Sequence, residues 1–127
     1  MVSKTEKHTK DLDCTHGLFM AGVYKITNKL KPNLHKYKDI LAIPRGGYIL
    51  GVILSHRLNL PMTTRLKVGT TLVVDDICDT GDTLAEYKYN DKVVLMAKDK
   101  GIKNTENLIY AFNIGDTVWV KYWWEEE

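Results

Sequence analysis

The chain is short of cysteine, histidine and long apolar runs, and each shortage removes a class of protein. Only two cysteines occur, Cys14 and Cys78, and neither belongs to a CxxC pair. That argues against a disulfide framework or a thiolate metal site, and suits a reducing compartment. The four histidines, His8, His16, His35 and His56, stand in no HxxxH or HExxH spacing, so no histidine-bound metal is expected. No apolar run is long enough to span a bilayer and no signal-peptide pattern is present, so the expected location is cytoplasmic with no membrane partner. An excess of one charge is also missing. Eighteen basic residues face sixteen acidic ones, a formal net charge of +2, which gives no reason to expect nucleic acid as a partner.

What remains is an ordinary globular composition, 44% hydrophobic and 27% charged, over 127 residues, enough for one domain with a real core. The Lys-rich polar start reads as a flexible N-terminal arm over residues 1–16, followed by a single domain over 17–127. Apolar residues at helical spacing predict a helix from Gly17 to Lys31, and a second, strongly apolar one from Tyr48 to Leu58. A short helix is expected from Asp82 to Tyr89. Buried strands are predicted at Asp39–Ile43, Thr71–Val74 and Lys92–Ala97, with two more at Leu108–Ile114 and Val118–Tyr122, and an edge strand at Pro61–Leu66. The alternation argues for an α/β fold in three layers, a mostly parallel central sheet flanked by helices. Ligands in such folds sit beyond the carboxyl ends of the strands. Two unusual loops fall there, Arg45-Gly46-Gly47 after Ile43 and DDICDTGDT after Val74.

The second loop has its own chemistry. Two adjacent acids at a strand end, Asp75 and Asp76, repel each other and call for a cation or sugar hydroxyls beside them. Asp79, Thr80, Gly81, Asp82 and Thr83 follow, with hydroxyl donors, a glycine that permits close approach and backbone amides opening a helix, which together suit a phosphate. Acids for sugar and metal followed by amides for phosphate match the order of groups in a ribose 5-phosphate. An N-capped helix explains any one of these residues, but caps do not require two acids before the turn.

VVDDICDTGDT resembles the 5-phosphoribosyl 1-diphosphate signature of the type I phosphoribosyltransferases. LAIPRGGYILGVILSHRLNLP, Leu41 to Pro61, resembles that family's diphosphate loop and the helix after it. VLMAKDKG and DTVWVKYWWE resemble the lysine strand and C-terminal segment of its xanthine-guanine and hypoxanthine branch, and the resemblance runs from Gly17 to Glu125. It implies that Asp75 and Asp76 bind the ribose hydroxyls, directly or through Mg²⁺, and that Asp79, Thr80, Gly81, Asp82 and Thr83 wrap the 5-phosphate. Arg45, Gly46 and Gly47 would hold diphosphate, with Pro44–Arg45 a candidate cis peptide. Asp79 would be the acid/base at the purine N7 and Lys98 the donor to its 6-oxo group. Trp119 would stack on or flank the base while the main chain near Val120 reads its edge. The implied partners are 5-phosphoribosyl 1-diphosphate, a purine base and further copies of the chain as a homodimer or homotetramer. Taken alone, Lys98 is an ordinary solvated strand-end charge, Trp119, Trp123 and Trp124 are equally core or interface anchors, and Cys78 is a small loop residue.

Two departures bear on activity. Relatives carry a long hood loop before the DD strand, where this chain has only Leu66–Thr70 (LKVGT). Asp82 stands where relatives often have Gly or Ser. Three functions are weighed on this basis: a purine phosphoribosyltransferase, a nucleotide-binding or regulatory module without turnover, and a receiver-like phosphoacceptor. The third places its acid pair near the first strand, which this order does not match.

Overall fold

The computed structural model describes residues 10–125. Four strands, β2 (Asp39–Ala42), β3 (Thr71–Cys78), β4 (Lys92–Ala97) and β5 (Leu108–Asn113), pair side by side in that order, all parallel. Their alternating residues divide between two faces. Ile40, Leu72, Val74, Val93 and Leu95 pack on one side with Phe19, Val23, Ile26 and Leu30 of helix α1 (His16–Leu30) and Leu50, Leu54 and Leu58 of helix α2 (Gly47–Leu58). Val73 and Val94 face the other way, covered by Leu84 and Tyr87 of a 3₁₀ turn and Ile102 of helix α3 (Asp99–Asn104). A sheet apolar on both faces thus gains its three layers. The second cover is thin, a single 3₁₀ turn, six residues of helix and Leu66 from the stretch before β3.

Local chemistry fixes where the elements start. Thr15 caps α1, its hydroxyl accepting from Leu18 N at 3.1 Å. At the amino end of the sheet, Asp39 accepts from Lys67 Nζ and Thr71 Oγ1, each at 2.6 Å. Burial pushes the Asp39 carboxyl up, but those bonds outweigh it and hold it below its ordinary value. Lys92 is fully buried, and its ammonium donates to Asn90 O and Glu106 O, both at 2.9 Å. These groups close the end of the sheet opposite the two unusual loops.

Three expectations are corrected. Part of the expected arm is structured: β1 (Lys10–Cys14) pairs in parallel with β6 (Val118–Tyr122) in a separate two-stranded sheet, and α1 begins at His16. Its polar residues hid it, since of Lys-Asp-Leu-Asp-Cys only Cys14 is fully buried. Residues 1–9 lie outside the described residues. The Pro61–Leu66 edge strand reduces to one parallel bridge between Ile40 and Met62. The helix expected at Asp82–Tyr89 is a single 3₁₀ turn, Leu84–Tyr87, in which only Leu84 is buried. Among the described residues no helix is long and apolar enough to cross a membrane.

Candidate active site

Strand β3 runs past the expected Val74 to Cys78, so Asp75 and Asp76 sit on the strand itself. Asp76 N donates to Asp75 Oδ1 at 2.8 Å and Ile77 N to Asp76 Oδ1 at 2.9 Å, which fixes both carboxyls to the backbone. Burial first, and then the neighbouring Asp76 carboxyl, push Asp75 up to about 8. The repulsion read from the sequence is therefore present in the fold.

The Arg45-Gly46-Gly47 loop rides directly on this strand end. The Pro44–Arg45 peptide is cis. A side chain at Gly46 would collide with the Asp76 carboxylate, and a Cβ on Gly47 would lie 2.7 Å from Val74 O. Glycine at both positions is what lets the loop approach the acids. Arg45, Gly46 and Asp76 line one cavity of about 580 Å³ together with Ile49, Trp124 and Glu125.

The following loop forms a second cavity, of about 200 Å³, lined by Asp75, Asp79, Thr80, Gly81, Asp82 and Thr83 among others. Gly81 has φ +93°, a left-handed conformation that favours glycine. Asp82 N turns back to Thr80 Oγ1 at 3.3 Å. Among the described residues, the N–H groups of Thr80, Gly81 and Thr83 donate to no protein acceptor. A loop with unspent amides around a positive-φ glycine is an anion-accepting geometry.

Lys98 caps the end of β4 and is buried, yet its ammonium reaches Asp79 Oδ1 at 3.2 Å. The Asp79 side chain is 63% exposed, so the pair presents its acid outward. Lys98 is thus not the solvated charge that its position alone suggests. Trp119 and Val120 lie half-buried on β6, with Trp119 beside Asp11 of β1, and neither lines the two cavities.

Trp124 and Glu125 are the residues that sequence reasoning missed. Trp124 stacks on Tyr122 with ring centroids 4.5 Å apart, and Tyr122 donates its hydroxyl to Asp76 O at 2.8 Å. Glu125 accepts from Tyr122 N at 2.8 Å. The available signal was position: aromatics and an acid just past the carboxyl end of the last strand, where ligands gather in such folds.

No family model matches the chain. Solved structures do. A purine phosphoribosyltransferase from Pyrococcus horikoshii superposes with a TM-score of 0.74 at 24% identity, over 92% of this chain and 95% of that one. The fold is that of the type I phosphoribosyltransferases. A xanthine-guanine-hypoxanthine phosphoribosyltransferase from Helicobacter pylori matches the same phosphoribosyltransferase fold with a TM-score of 0.69 at 17% identity, over 93% of each chain. A hypothetical protein from Neisseria gonorrhoeae with bound ppGpp matches with a TM-score of 0.75 at 18% identity, over 94% of this chain and 90% of that one. The connection between α2 and β3 runs over residues 59–70 and includes the Leu66–Thr70 stretch read from the sequence as a reduced hood.

Proposed function

We propose that this chain transfers the 5-phosphoribosyl group from 5-phosphoribosyl 1-diphosphate to a purine base of the hypoxanthine, xanthine or guanine class, releasing diphosphate. One observation carries the reading. One continuous segment, the end of β3 and the loop after it, presents two carboxyls, Asp75 and Asp76, and a few residues later unspent amides around Gly81. The similarity to a purine and a xanthine-guanine-hypoxanthine phosphoribosyltransferase supports it.

The residues fit Mg²⁺. Among the described residues no cluster of three or more His, Cys, Asp or Glu could cage a metal, but Mg²⁺ is commonly held by one or two carboxylates with substrate phosphates and water completing its shell. Asp75 and Asp76 supply those carboxylates. When bound, the ion neutralises charge on the leaving diphosphate. Arg45 shares that task, since its planar fork pairs with phosphate oxygens, and the amides of Gly46 and Gly47 complete the loop. Asp79, Thr80, Gly81, Asp82 and Thr83 hold the 5-phosphate.

Lys98 and Asp79 fit the base. A 6-oxopurine presents O6 and N7 side by side on one edge, and the Lys98 ammonium and Asp79 carboxyl lie 3.2 Å apart. Lys98 donates to O6. The N9–C1 bond forms, the bond from C1 to the diphosphate oxygen breaks, and the proton carried on N7 passes to Asp79. Trp119 and the main chain at Val120 flank the base from β6. The acids beside C1 stabilise its developing positive charge. Assembly as a homodimer or homotetramer belongs to the same reading, supported by Tyr48, Val52 and Met62, large side chains exposed around an apolar groove beside α2.

A second reading, a nucleotide-binding or regulatory module without turnover, is favoured by the short 59–70 connection, which leaves little chain to close over the site, and by the ppGpp held in the Neisseria protein. Diphosphate release with Mg²⁺, 5-phosphoribosyl 1-diphosphate and each base in turn separates the two. The enzyme releases diphosphate with at least one of hypoxanthine, xanthine and guanine. Silence with all three, alongside Mg²⁺-dependent nucleotide binding, identifies the module.

A further inference from the structure

The segment from Lys98 to Thr105 touches the phosphate loop along its length. Lys98 N donates to Cys78 O at 2.9 Å, and Lys98 Nζ reaches Asp79. Gly101 packs so closely that a Cβ there would lie 2.6 Å from Cys78 O and 2.9 Å from Asp79 O. Asn104 donates from Nδ2 to Thr80 O at 3.2 Å. Buried Thr105 places its hydroxyl 3.4 Å from Cys78 Sγ and 2.6 Å from where a Cβ on Gly81 would stand. Each residue from 78 to 81 therefore meets α3 or Thr105, which follows it. Within residues 79–83 the bond is one long contact, Asp82 N to Thr80 Oγ1 at 3.3 Å, and the turn that follows ties only the far side, Ala85 N donating to Gly81 O at 2.9 Å and Glu86 N to Thr83 O at 3.4 Å.

We infer that Asn104 and Thr105 are positioning residues, which hold the loop over residues 79–83 in the shape that turns its amides toward a phosphate. This rests on the reading of that loop as a phosphate cradle. Asn104 acts by tying down the Thr80 carbonyl, which orients the peptide whose N–H belongs to Gly81. Thr105 acts through its hydroxyl, which stands beside Gly81 and 3.4 Å from Cys78 Sγ, so the loop can close only with glycine there. Asn104 is exposed, so its bond is not needed to fill the core. Its geometry matters to the loop it ties.

The test titrates the full chain and its Asn104→Ala, Thr105→Val and Thr105→Ser variants with ribose 5-phosphate and, separately, with diphosphate, whose loop at Arg45 lies apart from residues 79–83, following the amide resonances of Thr80, Gly81 and Thr83. One lost hydrogen bond in a loop corresponds to about threefold to tenfold weaker ribose 5-phosphate binding for Asn104→Ala and Thr105→Val. Thr105→Ser, which keeps the hydroxyl, recovers most of the affinity, and diphosphate binding is unchanged throughout. Wild-type affinity for ribose 5-phosphate in both Asn104→Ala and Thr105→Val overturns the inference, and so does equal weakening of both ligands. If the wild type binds no ribose 5-phosphate, the cradle reading fails by itself. The positioning role is then decided on the free protein: displaced Gly81 and Thr83 amides in Asn104→Ala uphold it, and unmoved ones overturn it.

Discussion

Burial and the Asp76 carboxyl push Asp75 up to about 8, and this has a consequence for stability. The unfolded chain releases that proton near the ordinary carboxyl value, whereas the fold keeps it until the higher one. Between the two the folded state binds more protons, so stability falls as pH rises through the window. Asp75→Asn cannot ionise and should flatten the fall. Thermal melts without divalent ions at about pH 5 and about pH 8 check this, with the wild type losing more than the variant across the interval. Parallel losses would contradict the assignment. At Arg45 the expected outcome concerns ligands. Arg45→Ala should weaken diphosphate more than a nucleoside monophosphate in calorimetric titrations, and equal loss would remove Arg45 from the diphosphate loop. Asp75, Asp76 and the run from Asp79 to Thr83 were legible in the sequence because their chemistry lies in one continuous string. Trp124 and Glu125 were not, because only the return of the tail against Arg45 and Asp76 gives them a role.

Among the elements, the two-stranded β1–β6 sheet does more than close the core. Cys14 aligns with Tyr122 across it, and Tyr122 spans from this sheet to the acid pair through its bond to Asp76 O. Burial holds the Tyr122 hydroxyl protonated, well above its ordinary value, so it remains a donor at any working pH. Tyr122→Phe should lower stability by about 0.5–1.5 kcal/mol, read from denaturant melts, and should also disturb ligand binding at Asp76. A stability loss with untouched ligand affinity would confine Tyr122 to packing. Strands β2 to β5 were legible because runs such as Thr-Leu-Val-Val and Lys-Val-Val-Leu-Met-Ala are apolar on both faces. Strand β1 was not, since it buries little and its partner is more than a hundred residues away. Helix α3 also escaped notice, being six residues long with only Gly101 buried.

The molecule as a whole is unevenly covered. Two long helices protect one face of the sheet, while the face toward the loop after β3 is covered by a 3₁₀ turn, α3 and Leu66 of the 59–70 connection. The connection between α2 and β3 spans residues 59–70 and holds no helix or strand of its own. Light scattering at increasing concentration should show a dimer or tetramer, and Val52→Lys, which sets a charge in the apolar groove beside α2, should shift it toward monomer. A monomer at every concentration would contradict that assembly. The fold was legible at this scale because alternating helix and strand leaves few arrangements, while the split into two sheets depended on β1. The central claim is that the end of β3 and the loop after it serve sugar, metal and phosphate together. Calorimetric binding of 5-phosphoribosyl 1-diphosphate with and without Mg²⁺, in the wild type and in Asp75→Asn/Asp76→Asn, tests it most directly. The account predicts Mg²⁺-dependent binding in the wild type and its loss in a variant that still folds; undiminished binding in the folded variant would contradict it.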